Sequence, residues 1–270
     1  MNAGVPERIV CLSTETVEVL YALGAEDRIA GISGFTVRPA RARREKPRVS
    51  GFSSARIDRI LAVRPDLVLA FSDLQADICA SLIRAGVAVH VFNHRSVSGI
   101  LDMVLTLGRL VDAVAAAQAL VQRLRARMRE AEAQAHQRIE RLGRRPRVYF
   151  EEWDEPRICG IQWVSELITL AGGDDVCATR AQLGTASERI ITDDREIISK
   201  APELILASWC GKKVRPEQIA ARAGWADVPA VRQGQIVEIK SPLILSPGPV
   251  AIEEGLAAIA TALDRVTPSG

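Results

Sequence analysis

The chain has 270 residues, 48% of them apolar and 25% charged, with a net charge of +2. That composition is the balance of a folded globular chain and excludes a disordered or collagen-like one. The near-zero charge excludes a global field that would recruit nucleic acid or a membrane surface, and no apolar run approaches the ~20 residues of a membrane span.

The opening Met1-Asn2-Ala3-Gly4-Val5-Pro6-Glu7-Arg8 lacks the charged, apolar and cleavage regions of a signal peptide, which sets the expectation of a cytoplasmic location. Short runs rich in Val, Ile and Leu then alternate with helical patterns, the grammar of a parallel α/β fold. Residues 8–13, 29–33, 66–71 and 87–92 are too short for helices and read as strands. Residues 16–23, 55–63, 75–85 and 98–110 read as helices, with Gly24 and Gly86 as stops. Residues 112–142 contain no Pro or Gly and are dominated by strong helix formers, predicting one rod of roughly 45 Å. Asp112 is its N-cap, Gly143 its stop, and Val114, Ala117, Val121, Leu124 and Met128 its apolar stripe. The alternation then resumes, with strands at 147–151, 203–208 and 235–239 and helices at 163–171, 194–200, 216–222 and 250–263. Arg64-Pro65-Asp66-Leu67-Val68-Leu69 is echoed by Ala201-Pro202-Glu203-Leu204-Ile205-Leu206, so the halves read as pseudo-duplicates. The domain reading is residues 1–111, a bridging helix at 112–142, and residues 143–270.

The five cysteines are odd in number and form no CxxC, which fits reduced thiols and argues against a structural zinc site. No GxGxxG follows a strand, and no P-loop, GxSxG or HExxH occurs, so the expectation is a binding protein and not an enzyme; the alternatives are a ligand-responsive regulatory protein, or an enzyme using Glu151, Glu152 or Cys210, on the same fold. The basic run Arg38, Arg41, Arg43, Arg44, Lys46 and Arg48 has no interleaved aromatics; it reads as a solvated loop or a steering patch for an anionic ligand, not a nucleic-acid surface.

Four stretches in order carry a family resemblance. They are Arg8-Ile9-Val10 with Thr14-Glu15 and Ala22-Leu23-Gly24; Arg64-Pro65-Asp66-Leu67-Val68; Leu170-Ala171-Gly172-Gly173; and Trp225 with Pro229-Ala230-Val231 and Gly234-Gln235-Ile236. Together they resemble the solute-binding proteins of vitamin B12, siderophore and haem ABC importers, across nearly the whole chain. Tyr149-Phe150-Glu151-Glu152-Trp153 and Ser208-Trp209-Cys210-Gly211 are similar to a cobalamin-binding subgroup without a signal peptide. The resemblance implies two Rossmann-like α/β lobes joined by one long bridging helix, with a ligand cleft between them. It implies a monomer that needs no cofactor and binds a corrinoid, or alternatively haem or a ferric siderophore. It also implies docking on an ABC importer through an acidic residue of each lobe. Asp58 is that residue in the first; in the second, Arg195 stands at the equivalent spacing, and Glu196 is the adjacent acid.

Ligands of open α/β lobes sit past the carboxyl ends of the strands, which selects the candidates. Thr14 and Glu15 enter a helix there and read either as ligand contacts or as helix capping. Phe35, Phe52 and Phe71 fall at strand ends and suit a flat ring, or pack the core. Asn93 and His94 follow a strand, and His94 is a candidate axial ligand of a corrinoid or haem metal. From the second half come Glu152, Trp153, Trp163, Trp209, Cys210, Lys212 and Ile244. Cys210 is a second candidate metal ligand, and Glu152 and Lys212 either pair or meet a polar ligand rim.

Overall fold

The computed structural model describes residues 4–267; Met1 to Ala3, part of the leader reading, and the last three residues lie outside them. The chain divides into two compact units, one comprising Met1–His94 and Ser98–Arg123, the other Arg95–Val97 and Leu124–Gly270. Both are α/β, and one long helix, Val114–Leu142, is shared between them.

The first unit holds β1 (Ile9–Cys11), β2 (Ile29–Ser33), β3 (Arg48–Ser50), β4 (Leu67–Phe71) and β5 (Val89–Phe92). They form one parallel sheet in the order β3-β2-β1-β4-β5. The chain therefore winds outward from β1 in one direction, then crosses back and winds outward in the other. The crevice where the order reverses, between the carboxyl ends of β1 and β4, is where such sheets hold ligands. Strands β1 and β4 are buried throughout, as uninterrupted apolar runs in a parallel sheet must be.

The second unit holds β6 (Arg147–Asp154), β7 (Arg157–Cys159), β8 (Asp174–Asp175), β9 (Leu204–Ala207) and β10 (Ile236–Glu238). The sheet runs β10-β9-β6-β7, with β8 also paired to β6. Strands β8 and β9 run parallel to β6, one on each edge, and β10 runs parallel to β9, in the same grammar as the first unit; β7 alone is antiparallel, a hairpin return from β6. The order again reverses at one crevice, between β6 and β9.

The duplication extends to side chains. The Asp66 carboxylate accepts from the backbone N–H of Arg8, at 3.0 Å, just before β1. The Glu203 carboxylate accepts from the N–H of Arg147, also at 3.0 Å, at the start of β6. The guanidinium of each arginine reaches the carbonyl of Arg64 or of Ala201, at 3.0 Å in both cases. Arg64 and Ala201 share a left-handed φ of 46°. The sequence echo is therefore one device used twice: a left-handed turn, a proline, and an acid that holds the amino end of the neighbouring strand.

The long helix begins at Val114, two residues later than the sequence suggests, because Asp112 takes a φ of 56° at the corner after helix Val97–Leu110. At that corner Gly108 is required: a Cβ there would lie 2.3 Å from the Cβ of Ala117. Ala117, Val121 and Leu124 are buried as the stripe predicts, but Met128 is only half-buried and Val114 is 44% exposed because it stands at the helix start. Further along, Arg138 is buried. It donates to the Ala171 and Ala260 carbonyls and to Asp264, fixing that half of the helix within the second unit. The predicted helix at 250–263 begins with a π-helical turn, Ala251–Gly255, before the α-helical Leu256–Leu263.

An alanine in the left-handed region costs about 1 kcal/mol over glycine, part of which is returned through the greater freedom of an unfolded glycine. Ala201→Gly is therefore expected to raise stability by up to about 1 kcal/mol in denaturant unfolding, with an unchanged m-value.

Candidate ligand-binding sites of the two units

At the β1/β4 crevice of the first unit the organising residue is Gln75, which is fully buried. Its amide nitrogen donates to the carbonyls of Leu12, at 3.1 Å, and Phe52, at 2.8 Å, and its amide oxygen accepts from the N–H of Phe71 at 3.0 Å. One side chain thus ties together the loops that follow β1, β3 and β4. Ser72, next to β4, has φ 68° and ψ 172°, a region populated almost only by glycine. Its hydroxyl accepts from the N–H of Leu74. Strain of this kind persists where the surroundings dictate it, and it turns Leu74 outward, 66% exposed.

The candidates of this unit gather around that frame. Thr14 opens helix Thr14–Ala22 and Glu15 lies in its first turn. Glu15 is only 2% exposed and its Oε1 has no hydrogen-bond partner. Burial pushes its carboxyl up to about 7, against hydrogen bonds from Ser13 and Thr14. Phe35, after β2, is 63% exposed, whereas Phe71 is buried and Phe52 half-buried. Phe71 meets the ring of His94 edge-on at 5.3 Å, and Asn93 beside it is exposed. His90 and His94 stand four apart, but on a strand and the loop after it, where this spacing makes no shared helical face. Among the described residues no group of three or more His, Cys, Asp or Glu is placed to hold a metal. Of the basic run only Arg43 and Arg44 lie in a short helix, Ala42–Glu45, and Arg48 lies in β3; Arg41 pairs with Glu26 at 2.6 Å and stacks on Tyr21 at 4.6 Å. Along β3 lies an open recess of about 680 Å³ lined by Arg48, Arg56, Arg59, Ser50 and Gly51, with the Ser50 hydroxyl oxygen buried and unpartnered.

At the β6/β9 crevice of the second unit the organising residue is Glu151, 0% exposed. Arg222 grips it with both terminal nitrogens, at 2.6 and 2.9 Å, and the Trp209 indole and Tyr149 hydroxyl each donate to it at 3.2 Å. Burial works against the Arg222 charge, yet the bond to Glu151 raises its pKa above the ordinary guanidinium value. Trp225 packs against both Tyr149 and the Arg222 guanidinium and donates to Asp194. Trp209 is thereby drawn inward, 2% exposed, so it forms the floor of the loop after β9 and not an exposed wall. Trp163 is buried too, its indole donating to the carbonyl of Ile244 at 2.8 Å, with Ile244 itself fully buried.

Glu152 and Lys212 do not pair with each other. Glu152 is held by the buried Arg189 at 2.7 Å, and Lys212 by Asp154 at 2.5 Å, because the turn of β6 into β7 brings Asp154 under the lysine. Lys212 also lies over the rings of Trp209, at 5.0 Å, and Trp153, at 5.6 Å. Trp153 is half-buried and is the aromatic face this unit leaves reachable. Cys210 is exposed, and partial burial with the nearby Glu152 charge pushes its thiol up, which keeps it protonated and a poor metal ligand. Both docking candidates carry their own arginine: Arg56 chelates Asp58 and holds its carboxyl below the usual range, and Arg180 grips Glu196 at 2.7 Å.

The residues missed in the sequence are those that build the frame: Gln75, Ser72, Leu74, Arg189 and Arg222. Gln75 and Arg222 look like ordinary helix-surface residues in sequence, and only their burial marks them.

Arg222→Met strips the partner from a buried carboxylate and is expected to lower stability by about 3–5 kcal/mol in denaturant unfolding. The double change Glu151→Leu with Arg222→Met is expected to recover most of that loss. For Glu15 the neutral carboxyl is favoured in the folded chain, so stability is full below about pH 4.5 and falls as pH rises through about 7. Glu15→Gln is expected to remove this decline, about 3 kcal/mol, when melting is followed from pH 4.5 to 8.

A family model described as periplasmic binding protein matches residues 9–243. A cobalamin-binding protein of Halobacterium salinarum is 26% identical over 267 residues, covering 97% of this chain and 70% of that one. The periplasmic vitamin B12 binding protein BtuF of Vibrio cholerae shares the fold with a TM-score of 0.75 at 22% identity, covering 96% of this chain and 97% of that one. A periplasmic haem binding protein from Pseudomonas aeruginosa does so with a TM-score of 0.82 at 17% identity, covering 98% and 96%. With its two α/β units sharing one long helix, the chain belongs to the periplasmic binding protein family.

Proposed function

We propose that the chain binds a corrinoid of the cobalamin type, without turning it over, for transport or intracellular handling. The observation that carries this reading is the pair of large apolar side chains left in water at strand ends of the first unit: Phe35 at 63% and Leu74 at 66% exposure. Exposed apolar groups on loops around a rigid sheet are a binding surface for a flat, largely apolar ring. Trp153 and the lysine-capped loop after β9 offer a second aromatic face with a polar rim. The cobalamin-binding relative supports the same ligand class.

A haem or ferric siderophore is the second reading. The arginine-lined recess along β3 favours it, because such ligands carry anionic groups that guanidinium recognises. Delivery to an ABC importer belongs to the same reading, with Asp58 the more exposed of the two candidate acids.

Calorimetry and visible spectra with cyanocobalamin, hydroxocobalamin, cobinamide and haemin test it. One-to-one corrinoid binding is expected, weakened about tenfold by Phe35→Ala, which corresponds to about 1.4 kcal/mol. Heat from haemin alone would overturn the corrinoid assignment in favour of the second reading, and silence from all four and from a ferric siderophore would overturn both.

A further inference from the structure

Strands β7 and β8 line the same edge of β6: β8 pairs with Arg147 and Val148, and β7 with Glu151, Trp153 and Asp154. Cys159 ends β7 directly opposite Glu151, and Cys177 follows β8 by two residues, with Val176 donating to the Val148 carbonyl. Alternation along a strand puts Tyr149 and Glu151 on one face of β6. Tyr149, Cys159, Val176 and Cys177 accordingly share one buried cluster. The register thus brings together two thiols that are 177 − 159 = 18 positions apart in sequence. Both side chains are buried there, and the neighbouring Cys159 thiol, with burial, pushes the Cys177 thiol up.

We propose that Cys159 and Cys177 are a disulfide-forming pair that cross-links β7 to the turn after β8 when the chain meets a small disulfide oxidant. One of the two, as thiolate, attacks a sulfur of the oxidant. The oxidant's S–S bond breaks and one thiolate leaves. The second cysteine gives up its proton, attacks the mixed disulfide at the first cysteine's sulfur, and expels the other thiolate. The protein loses two electrons and two protons, and the oxidant becomes two thiols. The neighbouring Cys159 thiol and burial hold the Cys177 thiol far above its ordinary value, so the exchange is slow at neutral pH and quickens as pH rises. The cross-link lies directly behind the candidate site of the second unit, because Arg189 donates both to the Cys159 carbonyl and to Glu152.

The full chain is incubated with oxidised glutathione at pH 7 to 9, quenched in acid, unfolded, alkylated and weighed. All five cysteines are alkylated in the reduced protein, and oxidation is expected to remove two alkylations. Peptide mapping is expected to join Cys159 to Cys177, faster at pH 9 than at pH 7. Cys159→Ser and Cys177→Ala should each abolish the joined peptide. A full alkylation count at pH 9, or glutathione on Cys210 with both Cys159 and Cys177 still alkylated, would overturn the proposal. So would a cross-link joining Cys159 to any other cysteine.

Discussion

The second unit depends on one buried charge. Glu151 has no exposed surface, and a carboxylate taken out of water costs several kcal/mol unless it is paired and hydrogen-bonded. Arg222, Trp209 and Tyr149 meet that demand together. Because Arg222 comes from beyond β9 and Glu151 from the point where β6 stops pairing with β9, the pair clamps the crevice at the strand reversal. The position of Trp209, the stacking of Trp225 and the packing of the loop that carries Cys210 and Lys212 all follow from it.

The first unit meets the same geometric need with a neutral group. Gln75 satisfies the carbonyls of Leu12 and Phe52, just past β1 and β3, and the N–H of Phe71 at the end of β4, which an apolar residue would leave buried and unpaired. Glu15 lies in the first turn of the helix after β1, and burial outweighs its hydrogen bonds from Ser13 and Thr14. Its carboxyl is left with burial as the dominant influence, and hence stays protonated well above the usual carboxylate range. The two units therefore share the order of four parallel strands, β2-β1-β4-β5 and β8-β6-β9-β10, and the strand-start device of Asp66 and Glu203, yet differ in how their crevices are held.

Much of the frame was legible because it rests on local physics. Uninterrupted Val, Ile and Leu runs mark buried parallel strands, and the stretch without Pro or Gly marks the long helix. Strands β3, β7 and β8 were not legible, since two or three residues make no periodicity and their pairing is fixed by β2 and β6. Among the candidates, Phe35 and Phe71 are alike in sequence, each near a strand end. One is exposed and the other buried, because Phe71 closes β4 in the centre of the sheet while Phe35 lies in a turn beyond β2.

The sequence by itself determined the alternating α/β order, the rod at the middle of the chain, the duplicated Pro-acid strand start and the family. The first three follow from composition, periodicity and local turn chemistry, and the family from the resemblance carried by four stretches in order. The tertiary structure alone decided which side chains became anchors and which stayed reachable. It paired Glu152 with Arg189 and Lys212 with Asp154, buried Trp209 and Trp163, and brought Cys159 and Cys177 into one buried cluster. Those outcomes depend on contacts between residues far apart in the chain, for which a buried group's need for a partner is the physical rule and the sheet register the selector.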